Sequence, residues 1–360
     1  MIPIGNLYYL LCYAWNRLDE RDFVDVEALP RQDLPNLLAR ILIDGVKRLL
    51  RQGIDRAYIA HTQDTQNPKG KIDIADSLKR GLLIRNAVAC VVDELSHDVL
   101  HNRIIRTTLH RLAATVEVDP GLRHELRMLE KQMDDVSLIA LRSEHFARVQ
   151  LHRNNAFYRF FLHVCELCFS ALLAEERHGE YRFKDFLRDE VRMRKIFQDF
   201  VYNFYRIEQT HFEVSSERLD WDTSYLDQKA LALLPEMVTD VCLDNWSRKI
   251  VIECKFTPDV LKENWGKLSA RSAHLYQLFA YLKHLERRGG THEHCEGLLL
   301  YPTATHSVDF VFDTQGHTVR VVTLDLREAW TDIKAQLLNL LAPWKASALP
   351  STLLSVAASV

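Results

Sequence analysis

The stretch Pro235–Lys255, PEMVTDVCLDNWSRKIVIECK, constrains this chain more than any other segment. Two β-prone runs, Glu236–Cys242 and Lys249–Lys255, flank a short polar turn at Asp244–Ser247. Val238, Val241, Ile250, Val251 and Ile252 mark both runs as interior strands. Asp240 nevertheless closes the first run, and Glu253 and Lys255 end the second. Charges on interior strands are costly unless they are paired or bind a metal. Alternation along a strand puts Glu253 and Lys255 on one face, with Cys254 toward the other layer. A hairpin pairing would bring Asp240 beside them. The expectation is two carboxylates and an ammonium at one end of a sheet.

Such a group suits phosphodiester hydrolysis. Mg2+ selects carboxylate oxygens and keeps positions for water and phosphate. Asp240 and Glu253 are the candidate ligands, with the Cys254 backbone carbonyl as a further oxygen. Lys255 can position or deprotonate the attacking water and offset developing charge. Asp with Glu-x-Lys also occurs on solvated sheets, so the interior character of these strands carries the argument. Gln277 and Tyr281, in LYQLFAYL, share a helix face. They either face the sheet end or simply border a helix. Glu190 is a further candidate carboxylate, or else a surface charge in the run Arg188–Arg194.

The 360 residues suit two domains. We expect an N-terminal domain of mixed helical and β character over 1–178, a second domain over 179–345, and a tail over 346–360. In the first, helical periodicity covers Leu7–Leu18, Leu34–Arg51, His97–Val116 and Asn155–Glu175. Short β-like runs lie at Ala57–Ala60, Lys71–Ile74 and Ala87–Val92. A polar seam, Glu176–Phe183, precedes a long helix over Lys184–Tyr205. After the central hairpin come a helix at Ala270–Glu286 and strands at Gly297–Tyr301, Val308–Phe312 and Val319–Leu324. A last helix covers Glu328–Leu341. This order implies an α+β or α/β domain with a central mixed sheet.

Other features exclude functions. The formal net charge of −3 lacks the basic excess of a stand-alone duplex binder, so any grip on DNA is local or shared. Seven scattered cysteines imply reduced thiols in a cytoplasm. No long apolar run suggests a membrane span, and MIPIGNLYYLLCYAW lacks the marks of a secretory leader. Lys69-Gly70-Lys71 and Gly266-Lys267-Leu268 fall short of a phosphate-binding loop, so no nucleotide site is expected in this chain. Cys165 and Cys168 lie in an apolar helix and read as core residues rather than zinc ligands. His292, His294 and Cys295 lack a full ligand set. Nothing supports a serine hydrolase or a zinc protease. Tyr8, Tyr9, Tyr13 and Trp15 read as core or docking aromatics, and Asn102 with Arg103 as a locally bonded helix pair or as a group reaching a partner.

Asp240, Glu253-x-Lys255 and Gln277-x-x-x-Tyr281 together resemble the PD-(D/E)xK nuclease signature with its helical QxxxY addition, although Thr239 stands where that pattern has Pro. Beyond the site, the chain resembles the McrC nuclease subunits of McrBC modification-dependent restriction systems. The resemblance runs through Gly5–Trp15, Lys69–Asp73, His101–Ile105, Tyr181–Phe186, Leu219–Asp222, Leu233–Met237 and Gly297–Pro302. It implies a restriction-endonuclease-like domain that cuts modified, methylcytosine-containing double-stranded DNA with Mg2+. Asp240 and Glu253 would be its metal ligands, Lys255 its catalytic lysine, and Gln277 and Tyr281 its supporting residues. It also implies a McrB-like hexameric AAA+ GTPase partner, which binds the GTP and is stimulated through the N-terminal half of this chain. Pairing of two nuclease subunits is a further expectation from the resemblance. The alternative is a subunit that activates the NTPase while its nuclease activity is secondary or lost.

Overall fold

The computed structural model describes residues 2–20, 24–174, 181–183, 189–221, 233–257, 261–264, 267–302 and 307–344. The expected tail and most of the seam at 176–183 lie outside the described residues. The chain forms two compact units, Phe23–Lys184 and the combination of Met1–Asp22 with Asp185–Val360. This differs from the expected division, because the first helix belongs with the second half. Helix α1 (Ile4–Ala14) has apolar residues on most of its circumference and cannot remain in solvent. Its Leu10, Tyr13 and Ala14 join the core built by the later residues.

In the Phe23–Lys184 unit, helix α2 (Leu34–Gln52) starts where the Asp33 side chain accepts the Asn36 N–H and ends at Gly53, whose φ of +84° favours glycine. Strands β1 (Ala57–Thr65), β2 (Lys71–Asp73) and β3 (Val88–Ser96) form an antiparallel sheet in the order β1-β3-β2. Helix α3 (Ile74–Lys79) lies between β2 and β3. Helices α4 (Leu100–Ala113), α5 (Pro120–Lys131), α6 (Ser143–Arg148) and α7 (Tyr158–Ala171) follow. Strand β4 (Leu172–Ala174) pairs with β5 (Tyr181–Phe183). Asn102 is buried and donates to the carbonyls of Asp55 and His97, both at 2.8 Å. Arg103 forks onto Asp98 at 2.7 Å through two nitrogens. Arg103 is therefore bonded locally, while Asn102 joins the start of its own helix to Asp55, 47 residues earlier. Cys165 and Cys168 are fully buried in α7, and burial pushes the Cys165 thiol up to about 12, as suits core cysteines.

In the other unit, helix α8 (Glu190–Glu208) precedes β6 (Glu213–Ser215), β7 (Arg218–Leu219), β8 (Met237–Val238), β9 (Val241–Asp244) and β10 (Lys249–Cys254). Strands β11 (Leu261–Asn264) and β12 (Lys267–Ala270) form a hairpin before helix α9 (Ser272–Glu286). Strands β13 (Glu296–Pro302), β14 (Asp309–Thr314) and β15 (His317–Leu324) and helix α10 (Trp330–Asn339) complete the described elements. The central sheet has six strands in the order β14-β15-β13-β10-β9-β6. β10 and β15 run parallel to β13, while β14, β9 and β6 are antiparallel to their neighbours. The sheet is thus mixed, as expected. Residues of α1, α8 and α10 pack on the face carrying Ile250, Ile252 and Cys254. Leu278, Leu282 and Leu285 of α9 pack on the face carrying Val251, Leu299 and Val321. Gly297 lets α9 approach closely, since a Cβ there would lie 3.0 Å from Leu278 and Leu282 side-chain carbons. Among the described residues no helix is long and apolar enough to cross a membrane.

Candidate active site

The β9–β10 hairpin makes the site. Its loop closes through a Ser247 and Arg248 N–H pair on the Asn245 side chain and a Trp246 N–H on Asp244. The register pairs Lys249 with Asp244 and Ile252 with Val241. One step further, it sets Asp240 opposite Glu253. Asp240 is not the end of one continuous strand, however. The run Glu236–Cys242 breaks at Thr239–Asp240, where β8 leaves the central sheet to pair with β7. Thr239 holds this break: its N–H donates to the Glu217 carbonyl at 3.0 Å, and its hydroxyl accepts the Glu217 N–H at 2.9 Å. Proline, with neither an N–H nor a hydroxyl, would lose both bonds. The bend lets Asp240 reach across and accept the Cys254 N–H at 2.7 Å.

Beyond Asp240 a bonded chain runs through the predicted residues. Lys255 Nζ donates to Glu253 Oε1 at 2.6 Å and to Gln277 Oε1 at 2.7 Å. Gln277 Nε2 donates to the Tyr281 hydroxyl at 2.8 Å. Glu253 is 2% exposed and Lys255 8%, so the pair is almost fully withdrawn from water. The sheet alternation holds: Cys254 joins the α8 side of the core, while Lys255 meets α9. Asp240, Glu253, Lys255, Gln277 and Tyr281 are all brought together. Glu190 is not: it is exposed in the first turn of α8, and no third His, Cys, Asp or Glu joins a metal-sized group among the described residues.

Electrostatics follow from this placement. Burial, and then the nearby Asp240, raise the Glu253 carboxyl to about 7, against the opposing pull of Lys255. Burial also raises Asp240, opposed by the Cys254 N–H and by Lys255, Lys195 and Arg194. Tyr281 is raised by burial, against the Gln277 hydrogen bond, with Glu253 and Asp240 adding to the rise. The second Glu253 oxygen, Oε2, is buried without a hydrogen-bond partner among the described residues. A buried acceptor left open is rare and costly. Asp240 raises Glu253, and a buried carboxylate oxygen left open beside a second carboxylate has the chemistry to accept a hard cation.

Sequence reasoning missed His274 and Tyr301, which sit beside this chain of bonds. His274 precedes Gln277 by one helical turn, and that spacing was the available signal. The loop residues His292 and Cys295 play other parts. His292 Nε2 lies 3.0 Å from Lys249 Nζ, and Cys295 is buried in the core beneath α9.

A mixed sheet between helical layers, with Asp240, Glu253 and Lys255 gathered at the end of its inner strands, is a restriction-endonuclease-like α/β fold. Comparison with known proteins agrees. The family described as McrBC 5-methylcytosine restriction system component matches residues 6–302. The Escherichia coli K12 type IV methyl-directed restriction enzyme EcoKMcrBC is 31% identical over 340 residues, spanning 94% of this chain and 97% of the relative. In fold, the chain resembles part of a Thermococcus gammatolerans assembly of McrB AAA+ hexamers with bound McrC. The TM-score is 0.55 at 17% identity, over 94% of this chain and 76% of that one. The chain belongs to the McrBC 5-methylcytosine restriction system component family.

Proposed function

We propose that this chain is the McrC-type nuclease subunit of a restriction complex. It cuts methylcytosine-containing double-stranded DNA by Mg2+-dependent hydrolysis and stimulates GTP hydrolysis by a McrB-like AAA+ hexamer. One observation carries the reading: the buried Glu253 carboxylate has an open oxygen opposite Asp240 and is bonded to Lys255. Asp240 and Glu253 would hold the cation, with the Cys254 carbonyl as a third oxygen. When bound, Mg2+ supplies Lewis acidity at the phosphate and eases ionisation of water near neutral pH. Lys255 has three ammonium protons. Glu253 and Gln277 take two of them. The third is left for the scissile phosphate, where it offsets the charge that grows as water attacks and the P–O bond breaks. Gln277 and Tyr281 fix the direction of that proton.

The partner is inferred from the relatives. The E. coli relative is described as a methyl-directed restriction enzyme, and the T. gammatolerans assembly combines McrC with McrB AAA+ hexamers. We assign the Phe23–Lys184 unit to the ring and a cytoplasmic setting to the complex. A net charge of −3 fits a subunit that shares its hold on DNA.

The test is cleavage of methylated and unmethylated plasmid by the full chain with its neighbouring NTPase, Mg2+ and GTP, beside Asp240→Ala. Cutting that needs methylation, partner, nucleotide and Asp240 supports the reading. Undiminished cutting by Asp240→Ala removes the site. Stimulated hydrolysis without cutting by the wild type, across modified substrates, favours a purely activating subunit.

A further inference from the structure

Tyr301 is completely buried, and among the described residues its hydroxyl has one polar contact, Nδ1 of His274 at 2.9 Å. A buried hydroxyl that donates to nothing loses its hydration without return. Its proton therefore lies on the bond to Nδ1, and the ring proton lies on Nε2. Two tethers place this ring. Cys254 pairs with Leu300 in parallel register, and Lys255 donates its N–H to the Leu300 carbonyl at 3.0 Å. Tyr301 thus stands beside Lys255 on the adjoining strand. On α9, His274 lies one turn before Gln277, the residue that accepts from the Lys255 ammonium. Strand and helix converge on one spot, and the half-buried ring occupies it beside Lys255.

The surroundings favour an anion there. Partial burial, then Lys255, Arg271 and Arg194, hold the imidazole down to about 4. The charges that shift it are cationic, while the Glu253 carboxylate acts on its partner Tyr301 and is bonded to Lys255. At neutral pH the ring is uncharged, so it keeps one N–H to donate and adds no further repulsion to the cations around it. Arg194 approaches from α8, in the opposite helical layer from α9, and is exposed.

We propose that His274 is a phosphate-binding residue, oriented by Tyr301, that donates its Nε2–H to a non-bridging oxygen of the same DNA phosphate that Lys255 contacts. This rests on the nuclease reading above.

The experiment compares His274→Ala, His274→Gln and Tyr301→Phe in the full chain with its partner. Single-turnover cutting, stimulated partner hydrolysis and melting temperature are measured, with Asp240→Ala as a control. Imidazole 15N spectra of the full chain report the tautomer. A lost hydrogen bond to a charged group predicts cutting slowed about 10–100-fold in His274→Ala. His274→Gln, which keeps an N–H near the Nε2 position, stays within about threefold of wild type by the same reasoning. Tyr301→Phe slows cutting by less than His274→Ala and blurs the Nε2–H signature. Partner hydrolysis is unchanged in all three. Wild-type cutting by His274→Ala, a His274→Gln as slow as His274→Ala, or an Nδ1–H tautomer overturns the proposal. If Asp240→Ala still cuts, the nuclease reading itself fails. If Asp240→Ala is inactive while His274→Ala is not impaired, only the role of His274 is lost.

Discussion

Lys255 Nζ lies 2.6 Å from Oε1 of Glu253, two residues earlier, while Oε2 of the same carboxylate is buried and unbonded among the described residues. One oxygen is thus committed within the protein and the other is held ready. Burial and the neighbouring Asp240 make this costly without a cation.

That cost sets a pH dependence. The Glu253 carboxyl is raised to about 7 from an ordinary 4.5. A raised acid contributes stability that is fully present below the unfolded value and lost as pH rises through the folded one. Without divalent cation, the wild type should lose stability between about pH 4.5 and 7 relative to Glu253→Gln, which does not titrate. Melting curves of both across that window decide the matter. A constant difference between them would rule the effect out. Mg2+ should raise the melting temperature of the wild type above pH 7 and leave Glu253→Gln nearly unmoved.

Gln277 links Lys255 to Tyr281. Gln277→Ala frees the ammonium to turn away from the phosphate. Cutting should fall at least about tenfold, through the rate at saturating DNA, while stability drops only about 1 kcal/mol. Single-turnover rates beside a urea titration separate these effects. A stability loss that accounts for all of the lost activity would show that Gln277 is only structural.

Lys249 is 3% exposed and bonds to Glu217, which also takes Arg288 at 2.6 Å. Asp244 lies 3.3 Å from the same ammonium. Glu217→Ala leaves a buried ammonium short of its main partner and should destabilise the protein by about 3 kcal/mol. Glu217→Gln, which keeps an acceptor, should lose less. Equal losses, measured by denaturant unfolding, would contradict this view of the network.

Gly297→Ala would put a methyl 3.0 Å from carbons of Leu278 and Leu282. Overpacking of this kind costs about 1–3 kcal/mol. Because α9 also carries Gln277 and Tyr281, cutting should fall along with stability. Full activity in a variant of lowered stability would mean that α9 shifts without moving the site.

The candidate site was legible because it contradicts its setting: Asp240, Glu253 and Lys255 sit in a run otherwise suited to the interior. Alternation then correctly paired Glu253 with Lys255 and sent Cys254 to the other face. The spacing of Gln277 and Tyr281 placed them on one helix face. What escaped the reading was set by distant partners. The break at Thr239 depends on the backbone of Glu217, and nothing within Glu236–Cys242 announces it. Helix α5 was not anticipated, since only Leu122, Leu126 and Leu129 of its charged sequence are buried. Glu190 looked useful by charge, but its first-turn position on α8 leaves it exposed. His274 carried no signal beyond its spacing, because its importance comes from the strand neighbour Tyr301.

Helix α1 has a history as well as a position. Tyr13 and Glu208, which bond in the finished fold, are 195 residues apart. At common synthesis rates of about 5–20 residues per second, α1 waits about 10–40 s after emerging before α8 exists. Throughout that interval one of the most apolar helices of the chain has no core to enter. Newborn chains should therefore depend on chaperones more than the finished fold suggests, and the Phe23–Lys184 unit can fold while α1 is still waiting.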